Sequence, residues 1–166
     1  MKNPKELAEQ AYQLGFQYEG AYGGCAQCVL SALADCGLPI APAVIQSATG
    51  LAAGVARSGN SCGALTGGIM ALSCVLGRDR DHMEDTELSA ASIALSRKLL
   101  DRFMKAYGSG VCRDIQYCLM GASYRMYQDE DRERFLQAGG HDDICTGVVG
   151  RCAQWVVEIL AEEGLL

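Results

Sequence analysis

The stretch Gly59-Asn60-Ser61-Cys62-Gly63-Ala64-Leu65-Thr66-Gly67-Gly68 decides how the chain is read. A polar, glycine-containing turn over Ser58 to Ser61 runs into a cysteine, and small and apolar residues follow as far as Leu76. Asn60 or Ser61 can cap a helix here, because a side-chain oxygen accepts the free N–H groups of a first turn. Cys62 is then expected within that turn, at the positive end of the helix dipole, where a thiol's pKa falls. The thiolate so favoured is the form that ligates metal or attacks a disulfide. Gly63, Gly67 and Ala71 recur at every fourth position, as do Ala64 and Gly68. One helical face is therefore nearly bare, and another backbone or a bound group can come close to it. Such a helix suits the wall of a buried site.

Working outward, the same arrangement recurs. Gly23-Gly24-Cys25-Ala26-Gln27-Cys28-Val29-Leu30 puts a cysteine after a glycine turn and before an apolar helical run. Ser109-Gly110-Val111-Cys112-Arg113-Asp114-Ile115 does so again. A free cysteine is among the most buried residue types, so each alone could simply pack. Three at expected helix starts exceed what packing asks for.

The rest of the chain reads as helices. Asn3, Pro4 and Glu6 make a capping-box start, and Leu7, Ala11, Leu14 and Tyr18 mark one face of a helix ending near Gly20. Further helices are expected over about 25–35, from Pro42 to Gly50, over 62–76, over 85–107, from Cys112, over 129–137, and from Asp142 or Asp143 to Glu163. No alternating strand pattern of useful length appears. The expected architecture is all-α: one domain over residues 1–166, a compact bundle of about six to eight helices.

Hydrophobic residues at 49% and charged residues at 20% are those of a folded globular chain. A net charge of −6 argues against nucleic acid and anionic membrane surfaces as partners. The charged start, Met1 to Glu6, has no apolar region of a secretory signal. The charge-poor region between Asp35 and Arg78 is broken by polar and glycine residues, so a buried core is expected there and not a membrane span. Nine cysteines in a chain read as cytoplasmic point to metal binding or catalysis, and an odd number cannot all pair within one chain.

Among the other cysteines, Cys152 shares the apolar stripe of the last helix with Val149, Val156 and Ile159, and its spacing alone reads as core. Cys145, on the same face at that helix's start, is its rival. Cys28 completes a Cys-x-x-Cys with Cys25, but the strand that a thioredoxin-type site needs is missing, so it reads as packing or an accessory thiol. Cys36, Cys74 and Cys118 read as core, and His82 and His141 as solvated loop residues. The acidic run from Asp129 to Asp131 reads as a solvated face.

These residues resemble a known family. Cys62-Gly63-Ala64-Leu65-Thr66-Gly67 matches CGAxxG, the signature of the redox-active C_GCAxxG_C_C family, which carries four characteristic cysteines. In order they resemble Cys25, Cys62, Cys112 and Cys152. The chain departs from the family pattern between Tyr117 and Gly140 and carries Cys118 and Cys145 in addition, so Cys145 can replace Cys152 as the fourth. The resemblance implies a small helical redox domain, and a related domain fused to a haem protein points to an iron–sulfur cluster.

Three functions follow. In the first, Cys25, Cys62, Cys112 and Cys152 (or Cys145) converge on an iron–sulfur cluster, a [2Fe–2S] centre in the first instance, with Gly63 and Gly67 on the bare face giving it room. In the second, Cys62 or Cys25 is the attacking thiolate of a thiol–disulfide oxidoreductase. In the third, the four thiolates close a structural zinc site, although zinc sites favour paired Cys-x-x-Cys knuckles and the four candidates here are scattered along the chain. A redox partner protein is expected, and the small uncharged surfaces make a homodimer plausible.

Overall fold

The computed structural model describes residues 3–166. In chain order its helices are α1 (Pro4–Tyr22), α2 (Cys25–Asp35), α3 (Pro42–Ser47), α4 (Gly63–Val75), α5 (Thr86–Tyr107), α6 (Cys112–Met120), α7 (Asp129–Gln137) and α8 (Cys145–Glu162). Short 3₁₀ turns cover Ala48–Leu51 and Arg80–His82, and a π-helical turn over Gly140–Ile144 leads into α8. The fold is all-α, as its periodicity predicts. Among the described residues the only β-type pairing is an isolated antiparallel bridge between Ser61 and Val111.

Helix α8 is the axis, flanked by α1, α2, α4 and α5, with its longest contact along α1. Its apolar face buries Val149, Val156, Val157, Ile159 and Leu160 completely or nearly so, against Leu30, Leu33, Leu72, Leu99 and Phe103. Each such side chain contributes roughly 1.5–3 kcal/mol of transfer free energy. With its π turn, α8 spans residues 140–162 and is long and apolar enough to cross a membrane, but more than half of that window is buried by its neighbours.

Two crossings are set by missing side chains. A Cβ on Gly150 of α8 would lie 2.7 Å from the carbonyl oxygen of Tyr12 in α1. One on Gly67 of α4 would lie 2.6 Å from the carbonyl oxygen and 2.8 Å from the Cα of Ala26 in α2. The bare face of α4 is thus filled by another backbone, which draws the starts of α2 and α4 together.

Several local expectations change. The capping box of α1 forms, with Asn3 Oδ1 accepting from the Glu6 N–H at 2.9 Å, but the helix runs past Gly20 to Tyr22. Neither Asn60 nor Ser61 caps α4; Cys62 itself is the N-cap residue, without a side-chain capping bond. The backbone of Asn60 is instead engaged by the segment before α6, its carbonyl accepting from Cys112 N–H at 2.6 Å. The last helix opens with a π turn where a regular α-helical start was expected. Cys118 is exposed where core was expected. Asp131 is buried, because its carboxylate accepts from Arg125 N–H and Nε at 3.1 and 3.0 Å and from Arg134 at 3.2 Å.

Candidate functional site

Four cysteines occupy four helix starts. Cys25 is the first residue of α2, after Gly23 and Gly24 at φ of 67° and 85°. Cys62 precedes α4, Cys112 opens α6 and Cys145 opens α8. The segments before α4 and α6 run antiparallel. Cys62 N–H donates to Gly110 O at 2.9 Å, Cys112 N–H to Asn60 O, and Arg113 N–H to Gly59 O at 3.1 Å. This ladder places Cys62 beside Cys112, while the Gly67–Ala26 contact places Cys25 beside Cys62. A Cβ on Gly63 would stand 2.3 Å from the Cys25 sulfur, so the space that glycine leaves is taken by that thiol.

All four cysteines line one cavity of about 270 Å³. Glu19, Ala52, Ala53, Arg57 and His141 line it too, and Ile115, Met126, Phe135, Val148 and Val149 supply an apolar wall. The segment carrying Ala53, Val55, Ala56 and Arg57 holds these four non-glycine residues at φ between 50° and 64°. Left-handed backbone costs roughly 1–2 kcal/mol per residue, and such strain gathers at functional sites. Its effect here is local: the backbone N–H of Ala53 is directed at the Cys25 thiol, as is that of Ala26. Those of Leu65 and Ala64 are directed at Cys62. Gln116 Nε2 approaches the Cys112 sulfur at 3.8 Å.

The lowered thiol pKa expected at these helix starts does not occur. Burial pushes Cys25, Cys62 and Cys112 up to about 12. Cys145 is driven well above its ordinary value, by burial first and then by Cys62 and Cys112. The N–H groups act in the anticipated direction, but removing a thiolate from water costs more than they return. The thiols also raise one another: Cys62 acts on Cys25, Cys112 on Cys62, and Cys25 on Cys112.

Cys152 stands apart from this lining. It is fully buried in α8, its thiol donates to Ala64 O at 3.0 Å, and its sulfur would lie 2.7 Å from a Cβ on Gly68. Ala64 lines the cavity, so Cys152 sits just behind the wall. Gly63 and Gly67 are not among the lining residues; they form the α2–α4 contact. Cys28 is buried, with its thiol donating to Gly23 O at 3.0 Å. His82 is exposed beside Asp79, as a loop residue should be.

Two lining residues depart from the sequence reading. His141 is half-buried and not a fully solvated loop residue: the π turn sets its ring edge-on to Phe135, centroids 5.3 Å apart, and burial lowers its pKa. Its Nε2 is 3.5 Å from Glu19 Oε1. Glu19 carries no motif that marks it in the sequence, and its side chain is only 3% exposed. Burial lifts its pKa to about 7, with the Cys28 thiol partly opposing. The available signal was register: the positions α1 buries are Ala8, Ala11, Gly15 and Glu19, a helical stripe that ends in a carboxylate.

Among the described residues, no three His, Cys, Asp or Glu side chains converge closely enough to hold a single ion as they are placed. The thiols surround a space. Residues 24–159 match the profile of the family described as "Putative redox-active protein (C_GCAxxG_C_C)". No curated protein and no solved structure matches the chain at a significant level.

Proposed function

The chain belongs to the C_GCAxxG_C_C redox-active family, and from that premise we propose that Cys25, Cys62, Cys112 and Cys145 hold an iron–sulfur cluster used for electron transfer or redox sensing. The supporting observation is that four thiols from four helix starts line one cavity. The donor set fits the group in kind, since such clusters take four cysteine thiolates. Peptide N–H groups directed at two of the sulfurs fit as well, because they stabilise sulfur-borne charge and tune potential. A bound cluster would supply one-electron exchange. The protein's part is to present the thiols, exclude water with the Val148–Val149 and Ile115–Met126–Phe135 wall, and limit access to a partner. Within this reading Cys145 is the fourth ligand and Cys152 a buttress behind Ala64. The [2Fe–2S] form is the first to test.

The thiol values bear on the choice. A thiol–disulfide enzyme needs an attacking cysteine ionised near neutral pH, and burial opposes that at Cys62 and Cys25. A metal site has no such difficulty, because the cation itself drives off the thiol proton. A single tetrahedral zinc draws all its thiolates onto one ion, and among the described residues no three such side chains converge on one ion. A reducing, cytoplasmic setting belongs to the same reading, as does a redox partner protein approaching the cavity mouth.

The test is anaerobic purification followed by iron, zinc and acid-labile sulfide analysis and a visible spectrum. A brown protein with matched iron and sulfide supports the cluster. One zinc per chain without iron, or a colourless protein that takes up neither metal on reconstitution with ferrous iron and sulfide, overturns it.

A further inference from the structure

The cavity holds one group that four thiolate ligands leave unexplained. Glu19 projects from α1, before the 24–159 span that carries the family likeness, and lines the same space as the four cysteines. Its Oε1 faces His141 Nε2 at 3.5 Å, while its Oε2 is buried without any hydrogen-bond partner. The nearest thiol answers it only in part: Cys28 donates to Gly23 O at 3.0 Å, and its pull on the Glu19 carboxylate is outweighed by burial. Buried side-chain acceptors nearly always have a partner, and leaving one without costs roughly 1–3 kcal/mol, more for a charged group. Such an oxygen beside a cavity is placed for something the cavity contains.

Resting on the reading of the four thiols as a metal site, we propose that Glu19 is a further ligand, its Oε2 giving the bound iron a carboxylate donor beside the cysteine sulfurs. The chemistry of the two donors decides the class of metal. Thiolates suit soft and borderline ions and carboxylates suit hard ones, and iron accepts both. The arrangement around Glu19 is that of a supported ligand: one oxygen faces a histidine that lines the same cavity, and the other is left without a partner. His141 is a positioning residue here, itself fixed edge-on to Phe135. Its π turn runs directly into Cys145, so one irregular segment orients both a sulfur and the carboxylate's partner. The site so assembled would have mixed sulfur and oxygen donors, with one of the two irons differing from the other in its ligands.

The experiment compares the full-length protein with Glu19→Gln and Glu19→Leu, each reconstituted anaerobically with ⁵⁷Fe(II) and sulfide. The readouts are iron and sulfide content, Mössbauer spectra and EPR of the reduced state. The wild type is expected to show an iron subsite of larger isomer shift, the mark of an oxygen ligand. Both variants should lose that subsite, and iron affinity should drop by about 10- to 100-fold. Glu19→Leu guards against a folding failure of Glu19→Gln, since an apolar side chain of similar volume leaves no unpaired acceptor in an apolar wall. If wild type and variants load equally and give superimposable spectra, Glu19 is no ligand and a buried water satisfies it, while the thiol site stands. If the wild type takes up no iron, the thiol site itself fails and this inference fails with it.

Discussion

Cys145 and Cys152 lie two turns apart on one face of α8, and the cavity is lined by the first and backed by the second. Spacing could not separate them, because both fall on the apolar stripe; the π turn separates them by opening the helix at Cys145. Cys145→Ser should therefore abolish iron retention on reconstitution. Cys152→Ser should retain iron and lose about 1–3 kcal/mol of stability, as expected for a polar change at a fully buried site. The reverse pattern in iron analysis would return the fourth position to Cys152. The helix-start cysteines were legible from their glycine turns, but the sign of their pKa shift was not, since local sequence displays the N–H groups and not the depth of burial. In metal-free protein at pH 8, the exposed Cys118 should alkylate at least about a hundredfold faster than Cys62, whose pKa stands near 12. Mass spectrometry of the labelled peptides reads this directly, and equal labelling would revive the thiol–disulfide enzyme. The same displacement fixes a direction for stability. The unfolded chain releases the Cys62 proton near 9.0 and the folded one near 12, so metal-free protein loses stability as pH rises from about 9 toward 12.

At the scale of elements, the glycine spacing of α4 foretold a close neighbour without naming it. The neighbour is the α2 backbone at Ala26, and the consequence for the site is indirect: the contact fixes how far Cys25 stands from Cys62. Gly67→Ala sets two effects against each other. Alanine gains about 1 kcal/mol of helix propensity, while a Cβ wedged 2.6 Å from a carbonyl oxygen must push two helices apart. Overpacking of that kind costs typically 1–3 kcal/mol and more where backbone meets backbone, so the clash wins. The expected outcome is a melting temperature lower by several degrees, together with poorer iron retention. Gly147→Ala is the control, since a Cβ there meets nothing within 4 Å in α8. It should leave the melt unchanged or raise it slightly. A Gly67→Ala variant as stable as wild type would mean that α2 and α4 are not in contact at this point. Helix boundaries were readable wherever a cap or a stop residue marks them, as Asp85 does for α5 by accepting from Leu88 N–H at 2.7 Å. They were not readable at residues 59–62, where the backbone bonds go to a segment fifty residues away and no local signal announces it.

In the whole molecule the helices divide by what they pack against. Helices α1, α2, α4, α5 and α8 share the hydrophobic core, while α6 and α7 touch the rest mainly through α5 and the π turn. The inward residues of the α6–α7 region, Cys112, Ile115, Gln116, Met126 and Phe135, face the cavity. A group held between Cys112 on this flap and Cys25, Cys62 and Cys145 on the body would tie the two together, and binding free energy of that kind adds to folding stability. Metal removal should then act unevenly. After anaerobic chelation the five core helices are expected to keep their amide protection, because their buried aliphatic side chains do not depend on the cavity. Residues 112–137 should lose protection by at least about tenfold, since local opening free energy follows the contacts a segment keeps. Hydrogen exchange followed by mass spectrometry on loaded and metal-free protein resolves the two regions. Uniform loss across the chain would mean that the metal holds the entire fold, as in a zinc finger. Unchanged exchange at 112–137 would mean that Cys112 is no ligand, and the four-thiol cluster would lose the cysteine that joins flap to body.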